Sequence, residues 1–204
     1  MKRCFGGDGD LMGSYHDLEW GRPVTTDRGI FERICLEAFQ AGISWLIVLR
    51  KREALRSLFA GFDPEKVARF GSREVKRLLV DASGIRNRAK IEAAVANARA
   101  TVALADEGAS LIEVVWSHAP RRSRAPRTWK EVPASTPESA HLAKDLRKRG
   151  FRFVGPTTAY STMQAAGVVN DHLARCSVRT EVRAEQRAAR AELLSELNRQ
   201  AALT

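Results

Sequence analysis

The chain has 204 residues, 44% of them hydrophobic and 28% charged, a composition that suits one large globular domain or two small lobes sharing a core. Its 34 Lys and Arg against 24 Asp and Glu leave a net charge of +10, which fits either a polyanionic partner or a solvated basic surface. No apolar run approaches the ~20 residues of a membrane span, and no hydrophobic signal core follows Met1-Lys2-Arg3, so the sequence reads as cytoplasmic with no membrane partner. Cys4, Cys35 and Cys176 are odd in number and far apart, which argues against a disulfide framework and leaves free thiols or metal ligands.

Residues 1–26 read as an irregular arm, punctuated by Gly6, Gly7, Gly9, Gly13, Gly21 and Pro23. Thr26-Asp27 then offers an N-cap to a helix whose apolar stripe is Ile30, Phe31, Ile34, Cys35, Ala38 and Phe39. Gly42 ends it, and Trp45 opens another helix that runs through Leu58 and Phe59. Pro64 marks a helix start at the first helical position. Ser72 is placed to cap a helix bearing Val75, Leu78 and Leu79, and the turn Ala82-Ser83-Gly84-Ile85 leads to one bearing Ile91, Val95, Ala98 and Val102. Further helical stretches fall at Leu111–Trp116, Ser139–Arg149 and Thr157–Val169. A Pro- and Arg-rich loop, Ala119–Arg127, separates the first two. No alternating strand pattern persists, so the fold is expected to be all-α. The tail, 179–204, is charged and Leu-containing; a solvated helix, or docking through Leu193, Leu194 and Leu197, are its two readings.

Three constellations carry chemistry. His172 and Cys176 lie four apart, which on a helix points both to one face. Cys4 and His16 in the arm complete a Cys2His2 set, the ligand mix of a closed structural zinc site, although the spacing is not that of a zinc finger. Linking His16 to His172 would close a loop of about 155 residues and anchor an arm with little apolar content of its own, worth roughly 4 kcal/mol if the metal acts as a staple. His118 and His141 have no cysteine companions, and Cys35 falls on the apolar stripe. Second, helix, glycine turn and helix over residues 78–91 form a layout in which turn amides and a helix N-terminus meet a phosphate, with Arg86, Arg88 and Lys90 beside it; an ordinary αα-hairpin has the same pattern. Arg121, Arg122, Arg124 and Arg127 are a weaker candidate for the same contact. Third, Tyr15, Trp20, Glu37 and Trp45 are aromatic or acidic residues near loop ends, and Glu37 interrupts an apolar run. It is either exposed on the far face or buried to meet a ligand.

These pieces resemble the 3-methyladenine DNA glycosylase I family of the helix-hairpin-helix superfamily. Arg3-Cys4, Tyr15-His16-Asp17-Leu18-Glu19-Trp20-Gly21 and Cys35-Leu36-Glu37-Ala38-Phe39-Gln40-Ala41-Gly42-Ile43-Ser44-Trp45 match its motifs in order. So do Gly84-Ile85-Arg86-Asn87-Arg88-Ala89-Lys90-Ile91, Lys148-Arg149-Gly150-Phe151, Met163-Gln164-Ala165 and Val169-Asn170-Asp171-His172. The match spans roughly residues 3–176. It implies a glycosylase domain over 1–178 in two helical lobes, with the hairpin at about 74–100 and the tail outside it. It implies one structural zinc per chain at Cys4, His16, His172 and Cys176, pinning the N- and C-terminal ends together.

The resemblance further implies a monomeric, nucleoid-associated repair enzyme that flips an alkylated adenine out of double-stranded DNA and hydrolyses its N-glycosidic bond. Glu37 and Tyr15 would hydrogen-bond the base, Trp45 would stack on it, and Trp20 and Phe5 would line the pocket. Ile43 is the candidate wedge, and Gly84, Arg86 and Lys90 the hairpin contacts. The stretch 150–158 contains no Asp or Glu, and no lysine stands out as a nucleophile. One departure is plain: family members place a tryptophan shortly after the first cysteine, and here the run is Cys4-Phe5-Gly6-Gly7. Two alternatives follow, a glycosylase for bulkier alkyl adducts or a helix-hairpin-helix DNA-binding module without catalysis.

Overall fold

The computed structural model describes residues 2–121 and 124–201, and among them there are helices and no strand. Arg122 and the side chain of Leu197 lie outside the described residues. The arm is not irregular throughout. It carries α1 (Leu11–Leu18), capped by the Asp10 carboxylate at the Gly13 amide. Its glycines mislead because Gly6, Gly7 and Gly9 precede the helix and only Gly13 falls inside it.

At the centre lies α2 (Asp27–Gln40), which packs against α3 (Trp45–Leu58), α6 (Arg88–Asp106), α7 (Leu111–Ser117) and α9 (Pro156–Ala165). Thr26 Oγ1 caps α2 at the Gly29 amide, 3.1 Å away, and Ile30, Phe31, Ile34 and Leu36 on it are wholly buried. A short 3-10 turn leads to α4 (Pro64–Ala68), whose Asp63 cap accepts from the Glu65 and Lys66 amides. The next helix, α5 (Ser72–Val80), starts at the residue expected to cap it: Gly71, one residue earlier, is the N-cap, and its amide donates to Glu74 Oε2 at 2.8 Å. α8 (Pro137–Lys148) is capped by Thr136 and pairs with α9.

Two stretches differ from the sequence reading. The buried helix expected to reach Val169 stops at Ala165, because the Val168 and Val169 amides both turn back to the Met163 carbonyl, at 2.8 and 3.2 Å. Gly167 makes that turn with φ +73°. The tail forms α10 (Arg179–Ala201), which is docked rather than solvated. Val182 and Ala189 are buried, Leu193 packs on the main core, and Gln186 donates to the carbonyls of Gly21 and Val169 at 2.7 and 3.1 Å. Leu194 stays exposed.

Gly167 also sets how closely the arm can approach α9. The Gly21 amide donates to Gln164 O and the Val24 amide to Ala166 O, at 3.1 and 3.0 Å. A Cβ on Gly167 would meet the Arg22 carbonyl carbon and oxygen at 2.5 Å, and backbone there cannot move aside independently. Gly167→Ala is therefore expected to lose about 2 kcal/mol or more, from left-handed strain and from the clash. Urea unfolding with an unchanged midpoint would show that the arm adapts freely.

Candidate functional site

Helix α2 presents Glu37 at the bottom of an open cavity of about 210 Å³. Tyr15 and Trp20 reach it from the arm, Gln40 and Trp45 from the two sides of the α2–α3 corner, and Ser161 and Gln164 from α9. Glu37 is only 7% exposed. Desolvation pushes its carboxyl up to about 8, against a smaller opposing pull from the Arg33 charge, and no hydrogen bond contributes. Arg33, one helical turn away, is engaged by Glu19, which also receives a two-pronged contact from Arg52. The Trp45 indole nitrogen is buried with no partner among the described residues. Tyr15 is buried, its ring centre 5.2 Å from that of Trp45, and burial raises its hydroxyl far above the ordinary tyrosine value. A buried carboxyl with no partner among the described residues, at the floor of an open cavity, is costly unless something enters to meet it.

The sequence-expected Phe5, Tyr15, Trp20, Glu37 and Trp45 therefore come together, and Trp129 joins them unforeseen. Gly6 cannot carry a side chain here. It has φ +77°, and a Cβ would lie 2.4 Å from the Gly13 amide nitrogen. Trp129, in the turn Trp129–Glu131 beyond the Arg-rich loop, fills the neighbouring space instead. Its ring centre is 6.0 Å from Phe5 and 6.0 Å from Trp20. Its indole nitrogen donates to the Cys4 carbonyl at 3.0 Å, which ties the loop to the arm. The only local hint was a tryptophan in an otherwise polar loop.

Behind the pocket wall, Cys4, His16, His172 and Cys176 converge, their ligand atoms all within 4.8 Å of one another. Cys176 Sγ is 3.4 Å from His16 Nε2 and 3.4 Å from His172 Nδ1, and the two ring nitrogens are 3.2 Å apart. The outward nitrogens are engaged elsewhere: His16 Nδ1 with Asp17 Oδ1 at 2.7 Å, and His172 Nε2 with the Trp20 carbonyl at 2.9 Å. Arg3 in turn holds Asp17. Burial pushes the Cys4 thiol up to about 12 and the His172 imidazolium down to about 4. Two cysteine sulfurs and two imidazole nitrogens aimed at one point form a set that could hold a metal ion. The other candidates stay apart: His118 lies 3.4 Å from Asp145, His141 is exposed, and Cys35 is core.

Comparison with known proteins agrees with this geometry. The methyladenine glycosylase family matches residues 6–180. The chain belongs to that family. It is 48% identical over 180 residues to the Escherichia coli (strain K12) DNA-3-methyladenine glycosylase 1, covering 86% of this chain and 96% of the relative. A crystal structure of a 3-methyladenine DNA glycosylase I superposes with a TM-score of 0.83 at 46% identity, over 86% of this chain and 98% of the other. A tyrosine-to-phenylalanine variant of a 3-methyladenine DNA glycosylase I, in complex with 3-methyladenine, superposes at 0.82 with 31% identity, over 88% and 98%.

In this glycosylase the hairpin is α5, the turn 81–87 and α6. Gly84 is buried against Leu58, where a Cβ would meet Leu58 Cδ1 at 2.9 Å. Lys51 holds the turn from below through the carbonyls of Ala82 and Ser83, at 2.8 and 3.1 Å. Arg86 is exposed, and Arg88 pairs with Glu92. Lys90 does not face a phosphate. It is 7% exposed and donates inward to the Phe39 and Ala41 carbonyls, the last turn of α2. Those carbonyls have no intrahelical partners, so a lysine there satisfies them and meets the negative end of the helix dipole. Ile43 sits half-buried in the corner that Lys90 braces, outside the lining of the cavity. Lys90→Met is expected to cost on the order of 2 kcal/mol of stability and to leave the salt dependence of DNA binding unchanged. Arg86→Ala should instead lower the slope of log affinity against log salt by about one and spare stability. A slope lost with Lys90 would mean that it leaves its carbonyls on DNA.

Proposed function

We propose that the chain is a DNA-3-methyladenine glycosylase that takes a methylated adenine, flipped from duplex DNA, into the cavity above Glu37. The buried carboxyl with no hydrogen-bond partner among the described residues carries this reading. A flipped N3-methyladenine is cationic and offers an exocyclic amino donor, while guanine would set an oxygen against the carboxyl. The cavity is smaller than the ~300–1,000 Å³ usual for drug-sized ligands, which suits a single base. Trp45 stacks on the ring and Tyr15 hydrogen-bonds its edge. Trp20 and Phe5 close two sides and Trp129 a third. Ile43 is the wedge that fills the vacated stack. Trp129 at the mouth works against the bulkier-adduct reading, because it occupies the space that the missing early tryptophan would have opened.

The cationic purine is already a good leaving group. The glycosidic bond breaks, its electron pair neutralises the departing base, and water adds to the sugar carbon with loss of a proton. No lysine is among the residues lining the cavity, so hydrolysis rather than lyase chemistry fits. Nothing in the pocket calls for a second copy, and the enzyme acts as a monomer.

The Cys2His2 cluster holds one structural zinc in this proposal. Zinc–sulfur bonds of about 2.3 Å and zinc–nitrogen bonds of about 2.0 Å give tetrahedral edges of about 3.5 Å between S and N and about 3.3 Å between N and N. The 3.4 Å separations from Cys176 and the 3.2 Å between the two rings lie close to both, and Cys4 Sγ stands slightly farther from His172 Nδ1, at 3.7 Å. Purified protein should contain about one zinc per chain, and Cys176→Ser should lose it together with several degrees of thermal stability. Zinc-free native protein of equal stability would exclude the assignment.

Two variants test the pocket. Glu37→Gln should reduce single-turnover excision of 3-methyladenine at least tenfold, since losing one charged hydrogen-bond partner costs about 2–4 kcal/mol, while undamaged duplex still binds. Trp129→Ala should weaken binding of free 3-methyladenine severalfold. The carboxyl also makes a pH signature. Its value rises from 4.5 to about 8 on folding, so the folded state holds a proton that the unfolded state gives up, and stability falls between those two pH values. Glu37→Gln should flatten that fall in a series of melts. Wild-type excision and an unchanged pH profile would place the pocket elsewhere.

A further inference from the structure

Helix α10 lies almost wholly beyond the stretch that matches the family, which ends at residue 180. Its side chains sort into three stripes. At 3.6 residues per turn, Val182, Gln186, Ala189 and Leu193 fall within a sector of about 60°, and this is the face that docks. Glu181, Glu185 and Glu192 fall on one flank of it, and Arg183, Arg187 and Arg190 on the other. The acidic flank is engaged: Glu181 and Glu185 both pair with Arg22. The basic flank is not. Arg190 donates to the Pro120 carbonyl at 3.1 Å, but Arg183, Arg187 and the adjacent Arg121 have no ion-pair partner among the described residues.

These four arginines line one groove of about 390 Å³ between α10 and residues 116–121, with Asn170 and Gln186 on its floor. Among the described residues no carboxylate lines it. A helix that sends its acids to one side and its arginines to the other concentrates like charge where it is costly, unless an anion relieves it. Guanidinium forks fit phosphate oxygens in a two-pronged geometry. Arg183 and Arg190 are separated by about 10 Å along the axis, a length over which one strand of a duplex, with ~3.4 Å of axial rise per charge, presents more than one phosphate. Successive backbone phosphates therefore suit the row of arginines better than a single small anion does.

We infer that the groove between α10 and residues 116–121 binds the phosphodiester backbone of duplex DNA, a contact additional to the pocket and the hairpin. The inference rests on the reading of the chain as an enzyme of duplex DNA. That reading is tested by excision in the wild-type protein, and this one by the following titration, so each can fail alone.

The full chain and an R183Q/R187Q variant would be titrated with undamaged duplex from low to moderate NaCl, with melting temperatures checked for both. Both side chains are exposed, so the fold should be retained. The slope of log affinity against log salt should fall by nearly two, because each lost phosphate contact removes about 0.9. R183K/R187K, which keeps the charge, should restore most of it. A variant that melts with the wild type but keeps the full slope would overturn the proposal. So would a slope lost equally in the lysine pair, which would tie the effect to packing instead of charge. A loss seen with duplex RNA and absent with duplex DNA would also overturn it.

Discussion

Cys4, His16, His172 and Cys176 meet in one buried cluster, and the form of the pocket follows from where that meeting holds the arm. Three of the aromatic walls, Phe5, Tyr15 and Trp20, come from a segment that has little core of its own. His16 and His172 stand 156 residues apart in the chain, so the cluster closes most of the fold into one loop. Phe5 packs edge-on against His16, and Trp20 does the same against His172, with ring centres 4.9 and 4.7 Å apart. Walls and ligands thus share side chains. Loosening the cluster would widen the pocket even with every pocket residue in place.

The α2–α3 corner is the opposing wall and is held in a different way. Lys90 reaches from α6 to the final carbonyls of α2, so the α5–α6 hairpin is joined directly to the corner bearing Ile43 and Trp45. Desolvation lowers the Lys90 ammonium below its ordinary value, a cost offset by carbonyls that would otherwise be unpaired. A residue that resembles a phosphate contact in sequence serves here as a brace. Movement of the hairpin on DNA would be felt at the corner through one side chain.

Most helices were legible because their start signals and apolar periods agree: Thr26 caps α2, and Asp63 caps the helix that Pro64 opens. The pocket was only half legible: a carboxyl flanked by Ile34-Cys35-Leu36 and Ala38-Phe39 reads either as an exposed residue on the far face or as one buried to meet a ligand, and the resemblance was what chose the second. What was not legible depends on direction or on distant partners. Arg86, Arg88 and Lys90 look alike in sequence, yet the first two point out and the third points in. Trp129 becomes a wall only because a loop 125 residues away from Cys4 donates to its carbonyl. The tail stayed open between a solvated and a docked helix because its charges were counted together, whereas their separation into two flanks leaves an apolar strip between them. The glycines of the arm suggested an irregular segment, but Gly6 and Gly13 are needed where two turns of backbone touch.

The energetics of Glu37 bear on selectivity. A carboxyl raised to about 8 is mostly neutral near pH 7 in the empty pocket, which limits the cost of burying it. Neutral adenine offers an amino donor but no charge, and it must also leave its stack and its pair at a cost of a few kcal/mol. A cationic base changes both sides of this balance. Its charge favours the ionised carboxylate, so ion pairing, stacking and deprotonation strengthen one another inside walls of low dielectric. Under the proposed function, a methylated, positively charged purine would therefore gain an ion pair with Glu37 that an uncharged purine cannot make.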